Sequence, residues 1–461
     1  MKMKFAGSRS ITALLIAICL AVLSARADVD VSAGKARPAP AWLRDGIVYE
    51  IFPRAFSANG DLAGVTARLD ELKDLGVDVL WLMPIHPIGE KFRKGALGSP
   101  YAISDYYAID PHCGTTNDLK ELVAAAHTRG LKVIMDIVAN HTAWDSVMMT
   151  HPEFYKQDNA GKVIPPVPEW TDVAGLNYAS PALREYMIAM LKHYVTDFDV
   201  DGFRCDVAYM VPTDFWEQAR AELEKIKPGL MMLAEASKPE LFMKAFDLDY
   251  SWPLLGKLGD VLLHGASATE LQHSWEESRR QFPQGSLHLR ISDDHDETRA
   301  VAKFGLRGAL AAQVLMFTLD GVPLIYNGME VGDATESGDP ALFEKLPIFW
   351  HPKERPPMRK IYRGLIQLRK AHAAFRNLDV TWLKNSHQDN VVTFLRGDDR
   401  EQFLVVINFS SRSTTVKVEA ASPSEFQPVK ISGADEPPSL DGGSLRLGGY
   451  EWRIYRRALP M

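Results

Sequence analysis

The sequence predicts a (β/α)8 barrel with a short insertion after its third strand and a C-terminal antiparallel β-domain. Three observations carry that prediction. Short apolar runs alternate with helix-like segments over roughly 300 residues, as a barrel requires. The stretch after the third run is irregular and rich in Pro, Asp, Asn and aromatics, too long for an ordinary strand-to-helix loop. Beyond "IYRGLIQLRKAHAAF" the texture changes to short alternating strands such as "VVTFLRG", "QFLVVINFS", "STTVKVE" and "RLGGYEWRIYRR".

The elements follow in order. Lys2 and Lys4 precede the apolar run "ITALLIAICLAVLSA", and Ala25-Arg26-Ala27 forms an A-x-A cleavage pattern. Residues 1–27 are therefore expected to be a cleaved signal peptide, placing the mature protein outside the cytoplasm, secreted or periplasmic. A membrane anchor is the alternative, but the run is short for a span and "ARADVDVSAGKARPAP" reads as a flexible mature start. Bulky Ile18 disfavours a lipoprotein at Cys19. The mature chain keeps Cys113 and Cys205, read as free buried thiols, with one disulfide as the alternative.

The barrel is expected over 42–141 and 179–375, the insertion over 142–178 and the β-domain over 376–461. Its strands are read in "GIVYEIFPRAF", "VDVLWLMPI", "LKVIMDIV", "VDGFRCDV", "LMMLAEA", "AFDLDYSW", "LHLRISDD" and "VPLIYNG". Amphipathic stretches such as "TTNDLKELVAAAHTRG" and "SPALREYMIAMLKHYVTDF" lie between them. A doubly wound open sheet would carry a Gly-rich phosphate turn after its first strand, and "SANGDLAG" is not that turn. A net charge of −7 with no basic run excludes nucleic acid as a partner, and no membrane partner is expected once the signal is removed. No motif speaks to oligomeric state.

In a barrel, side chains at the C-terminal strand ends converge on one mouth. The third strand brings Asp136, Asn140 and His141 there, the fourth Arg204 and Asp206, the fifth Glu235, and the seventh His295 and Asp296. Each has an ordinary reading: a helix cap for Asp136, a surface turn for Glu235, an acidic helix start for "SDDHDETR". Together they are costly to desolvate unless paired or used. Several carboxylates, an arginine and two histidines without a Cys/His metal set suit glycosidic cleavage, which needs a proton donor and a second carboxylate at the oxocarbenium-like centre. Asp206 beside Arg204 is expected to stay ionised, as a nucleophile must. Glu235, between Ala234 and Ala236, is expected in apolar surroundings that raise its pKa, as an acid/base requires.

These stretches together resemble the α-amylase family of retaining α-glucoside hydrolases and transglycosidases, glycoside hydrolase family 13. "DIVANH", "GFRCDVAYM", "AEA" and "SDDHD" are similar to its four signatures, "GLN" in "DVAGLNY" to its insertion-domain signature, and "GVPLIYNGME" to its eighth-strand one. The similarity runs from about Trp42 to the C-terminus. The resemblance implies Asp206 as nucleophile, Glu235 as general acid/base and Asp296 as the third carboxylate that binds sugar hydroxyls. It implies Arg204 as the arginine beside the nucleophile, His141 and His295 as hydroxyl-binding histidines, and Tyr101 as the tyrosine that stacks on the cleaved sugar. Asp136 is implied to be structural, and the C-terminal β-domain to be a β-sandwich.

The substrate so implied is an α-1,4-glucan or a maltooligosaccharide. A transglycosidase, an α-glucosidase or a cyclomaltodextrinase/neopullulanase-type enzyme could use the same site. A non-catalytic sugar-binding protein is opposed by the retained carboxylates. No cofactor is implied for the chemistry. Two departures from the pattern bear on the site: Tyr209-Met210 stands where many members have Lys-His, and Ala174-Gly175-Leu176-Asn177 where Pro-Asp-Leu-Asn is usual. The second removes an aspartate that is a calcium ligand in many members; Asn140 keeps a structural Ca2+ open. Trp144, Trp170 and Trp252 read equally as sugar platforms or packing, and His86 as cleft-lining or structural. Tyr326 and Asn327 read as structural, and the Met-rich segments as packing.

Overall fold

A computed structural model of the chain describes residues 30–335, 338–350, 358–440 and 442–460. The signal peptide read over residues 1–27 lies outside the described residues. Among the described residues ten strands precede the C-terminal region: β1 (Val48–Ile51), β2 (Val79–Leu82), β3 (Lys132–Val138), β4 (His141–Ala143), β5 (Val173–Gly175), β6 (Gly202–Asp206), β7 (Met231–Ala234), β8 (Leu248–Tyr250), β9 (Leu287–Arg290) and β10 (Val322–Tyr326). Eight of them close into a barrel in the order β1-β10-β9-β8-β7-β6-β3-β2, the fold class expected. Its strands are parallel and almost wholly buried, which is why they read as continuous apolar runs.

Register places the charged positions side by side. Asp136 lies opposite Arg204 and Val138 opposite Asp206 across the β3–β6 pair, and Glu50 pairs with Trp81 and Tyr326 on either flank of β1. Gly202, at the start of β6, sits at φ 153°, and a Cβ there would come within 2.0 Å of the Met231 carbonyl oxygen. Only glycine lets β7 approach closely enough to pair at that point.

Helices form where caps and periodicity agree. Helix α1 (Thr116–Thr128) opens with a capping box between Thr115 and Asp118. Helix α2 (Pro181–Phe198) has Pro at its first position and Ser180 as cap. Helix α3 (Ala300–Thr318) is long and apolar and packs inside the molecule. Helix α4 (Met358–Ala371) buries one face made by Ile361, Tyr362, Leu365 and Ile366.

The stretch after β3 is more regular than its composition predicts. β4 and β5 pair antiparallel, with His141 opposite Gly175, and two short 3-10 turns lie between them. Strands of three residues are too short to show an alternation, so the ribbon was illegible in the sequence.

Beyond α4 lie β11 (Thr381–Trp382), β12 (Val391–Gly397), β13 (Glu401–Asn408), β14 (Thr414–Lys417), β15 (Gln427–Pro428), β16 (Ser444–Leu447) and β17 (Trp452–Ala458). They form a five-stranded sheet, β11-β12-β13-β17-β15, and a two-stranded one, β14-β16. Strand β13 shows the logic of the domain. Leu404 and Val406 pack with Val416, Leu445 and Leu447 of the smaller sheet, while Phe403, Val405 and Ile407 face the core shared with the barrel.

That shared core contains three buried arginines at the C-terminal end of α3. Arg396 donates to the Thr318 carbonyl at 3.0 Å, and Arg369 to those of Leu319 and Phe375 at 3.2 and 2.6 Å. Arg290 pairs with Asp320 at 2.6 Å. The unpaired carbonyls and dipole of a helix end attract such cations. Burial, reinforced by Arg396, brings Arg369 down to about 9. Cys113 and Cys205 are both free; Cys205 is buried and Cys113 only half-buried.

Candidate active site

Arg204 is the hub of the barrel mouth. Its side chain is fully enclosed, with its guanidinium carbon 5.2, 5.7 and 5.8 Å from the ring centres of Trp81, Tyr101 and Tyr250. Nη1 reaches Asp136 Oδ1 at 2.9 Å and Asp206 Oδ1 at 3.0 Å, and Nη2 reaches Glu235 Oε2 at 2.7 Å. Nε donates to the Tyr250 hydroxyl at 3.3 Å. One cation thus holds the carboxylates from β3, β6 and the end of β7. Asp136 caps no helix; it also accepts from Trp81 Nε1 at 3.3 Å and the Tyr101 hydroxyl at 3.0 Å, which fixes the arginine's orientation.

This geometry corrects the expected surroundings of the two carboxylates. Glu235 is not in apolar surroundings: it shares Arg204 with Asp206 and accepts from the Val207 backbone N–H at 2.8 Å. Val207 itself sits at φ 35°, a strained conformation for a β-branched residue and one found at functional sites. Nor does Arg204 alone govern Asp206. Burial and the Glu235 charge push Asp206 well above the usual carboxylate range against the pull of Arg204.

The opposite wall is built on His295. Its Nε2 lies 3.1 Å from Asp296 Oδ2 and 2.7 Å from the Tyr101 hydroxyl, and its ring stacks on Tyr101 at 5.5 Å and 22°. Burial opposes a charge on the imidazole, but the Asp296 and Glu50 carboxylates raise its pKa well above the ordinary value. Burial also works against ionised Asp296, yet the adjacent His295 holds it below the usual range. The Asp296 side chain is 43% exposed, the only one of the three carboxylates so open to solvent. Asp294 shapes the turn by accepting from the Asp296 and Glu297 amides.

Six of the seven predicted side chains (Tyr101, Arg204, Asp206, Glu235, His295 and Asp296) belong to this one network. His141, the seventh, opens β4, hydrogen-bonds the Tyr101 backbone and sets its ring edge-on to Trp170 at 5.6 Å. Burial brings its pKa to about 4, so the ring is neutral, with Nδ1 facing the Asn140 amide at 3.3 Å. Three residues of the wall were not read from the sequence: Glu50, Trp81 and Tyr250. The signal for Glu50 was a lone charge inside the apolar run "IVYEIF".

Other candidates resolve as framework. Trp252 stacks on Tyr250 at 4.7 Å, and Trp144 donates to the Thr171 carbonyl at 3.0 Å. His86 is buried, lowered to about 4 by desolvation, and bonded to the Ala108 carbonyl. Asn327 accepts from the Phe52 amide at 2.7 Å, tying β10 to the end of β1.

The donors around Asn140 do not fit a structural calcium, which takes 6–8 oxygen ligands. The Asn140 amide nitrogen faces His141 Nδ1 and Met210 Sδ, Gly175 offers no side-chain oxygen where the usual motif has its aspartate, and Asp172 is engaged by Lys94 at 2.8 Å. Among the described residues no group of three or more His, Cys, Asp or Glu side chains is placed to hold a metal.

The family model for the α-amylase catalytic domain matches residues 36–162 and 169–362. The chain belongs to the α-amylase family. It is therefore a glycoside hydrolase by descent, and that family's chemistry requires no cofactor. Among curated relatives it is 28% identical over 418 residues to the α-amylase MalA of Haloarcula japonica, covering 85% of this chain and 59% of that one. It is 27% identical over 427 residues to a cyclomaltodextrinase of Geobacillus thermopakistaniensis, covering 82% and 71%. The crystal structure of a noncanonic maltogenic α-amylase, AmyB from Thermotoga neapolitana, superposes with a TM-score of 0.82 at 33% identity, covering 91% of this chain and all of that one.

Proposed function

We propose that this α-amylase-family enzyme hydrolyses α-1,4-glucosidic bonds of maltooligosaccharides or starch-type glucans with retention of anomeric configuration. The observation that carries this reading is Arg204 gripping Asp206 and Glu235 together, with the His295-bound Asp296 facing them. In the first step Asp206 attacks the anomeric carbon as the glycosidic C–O bond breaks, and Glu235 gives its proton to the departing oxygen. The covalent ester then yields to water, whose proton returns to Glu235. Asp296 is placed to bind the hydroxyls of the distorted sugar, where tightening bonds lower the barrier. Tyr101 supplies the face on which that sugar stacks, with His141 and His295 at its hydroxyls.

A cyclomaltodextrinase or maltogenic reading of the same site is favoured by one observation, the Tyr209-Met210 pair after β6 where many amylases carry Lys-His. Tyr209 is 44% exposed there, an apolar surface for the departing sugar. We further propose, from the sequence of residues 1–27 alone, that the enzyme works outside the cytoplasm after signal cleavage.

A product time course from maltoheptaose, soluble starch and β-cyclodextrin tests the reading. Mixed short maltooligosaccharides of α-configuration appearing early from maltoheptaose and starch support internal cleavage with retention. Faster attack on the cyclodextrin, with maltose accumulating, moves the enzyme to the second reading. β-Configured products, or none, overturn both.

A further inference from the structure

Glu50 lies at the centre of β1, completely buried, with no sugar-facing surface of its own. Its Oε1 stands 2.5 Å from His295 Nδ1, while Oε2 has no hydrogen-bond partner among the described residues. A buried carboxylate with one free oxygen is expensive to keep. Nothing in the folding of β1 requires it, since the neighbouring strand positions are apolar. Among the described residues the one polar contact of its side chain is the histidine that holds Asp296.

The hydrogens around that histidine can be assigned by elimination. The Tyr101 hydroxyl has one hydrogen, and it is engaged by Asp136 Oδ2 at 3.0 Å, so toward His295 it accepts. Asp296 Oδ2, on the same side, accepts as well. Nε2 must therefore carry a hydrogen. Nδ1 faces the Glu50 carboxylate, and an ionised carboxylate only accepts.

Here, on the reading that this is a sugar-cleaving site, we propose that Glu50 is a positioning residue which keeps His295 as a doubly protonated cation and so pins Asp296 for the reaction. The groups facing His295 from every packed element fit this. They are Glu50 on β1, the edge of Trp81 on β2, the Tyr101 hydroxyl, Asp136 on β3, Arg204 on β6, and Asp294 and Asp296 after β9. Carboxylates dominate the set, and Arg204 is already shared among three others. The same two atoms could instead hold one proton on Glu50 and leave Nδ1 bare. That arrangement would leave Asp296 without an imidazolium beside it and opposes the proposal.

Nitrogen NMR of histidine-labelled enzyme distinguishes the two arrangements without reference to activity. In the unaltered protein the His295 resonances, identified by their loss in His295→Gln, should report both nitrogens protonated from pH 5 to pH 8. In Glu50→Gln, an isosteric change that removes only the charge, one proton should leave with a midpoint near the ordinary value of about 6.5. Turnover should follow. The ratio of unaltered to Glu50→Gln kcat should grow from pH 5 to pH 8, reaching about 10²-fold where His295 has lost its charge. Glu330→Gln is the control, since Glu330 is as deeply buried but bonds Tyr49 on the outer side of β1; it should leave the His295 resonances unmoved. A bare Nδ1 in the unaltered protein overturns the proposal, as does a Glu50→Gln defect that is constant with pH. Absence of turnover on every glucan, with the NMR result intact, would overturn only the substrate assignment.

Discussion

Asp206→Asn is expected to abolish turnover and, at neutral pH, to make the protein more stable. Asparagine keeps the shape of the side chain but cannot form the glycosyl ester, and loss of a covalent nucleophile costs roughly 10⁴-fold or more in kcat. The stability arm has its own logic. Asp206 is pushed above the usual range by burial and by Glu235, so it binds protons more readily folded than unfolded. Such a group favours folding fully below its unfolded value of about 3.9 and loses that contribution as pH rises through its folded pKa. Toward neutral pH the buried acid is therefore a liability, which asparagine removes. Melting curves should show the variant above the unaltered enzyme at pH 7, with the gap closing near pH 4. Activity that survives the substitution would remove Asp206 from the mechanism.

Arg204→Met should be the most damaging single change in the barrel. Methionine fills much of the volume but leaves Asp136, Asp206 and Glu235 facing one another without a cation. Removing one partner of a buried ion pair costs about 3–5 kcal/mol, and here three partners lose it at once. The unpaired carboxylates then take up protons, so the deficit should be largest near pH 7 and shrink toward pH 4–5. Denaturant midpoints measured across that range check the direction. Turnover should fall with stability, because a protonated Asp206 is not a nucleophile. A variant as stable as the unaltered protein at pH 7 would show that the ring cage of Trp81, Tyr101 and Tyr250, and not the charge, holds the mouth together.

The barrel was legible because a parallel sheet covered on both faces writes its strands as apolar runs, and all eight stand where those runs do. The ribbon of β4 and β5 was not, since three residues carry no period. The site was legible as a set of residues and misread as a set of environments. Ala234 and Ala236 flank Glu235 in the chain, and from them apolar surroundings were inferred. Its actual surroundings are Arg204, which arrives from the neighbouring strand, and the Val207 amide. Glu50 escaped for the complementary reason. Its partner lies 245 positions away, and no local pattern marks a carboxylate whose purpose is another residue's proton.

The three arginines at the end of α3 bear on how this enzyme can be taken apart. Arg369 comes from the helix that leaves the barrel and Arg396 from the β-domain, yet both end on carbonyls belonging to the barrel's penultimate connection. Cutting the chain after α4 would strip Arg396 from the Thr318 carbonyl and bare the Phe403, Val405 and Ile407 side of the shared core. The β-domain is thus not a detachable module that can be swapped between relatives at its linker. Barrel and β-domain should melt as one cooperative body, and a graft would succeed only if the helix end and its arginines were transplanted together.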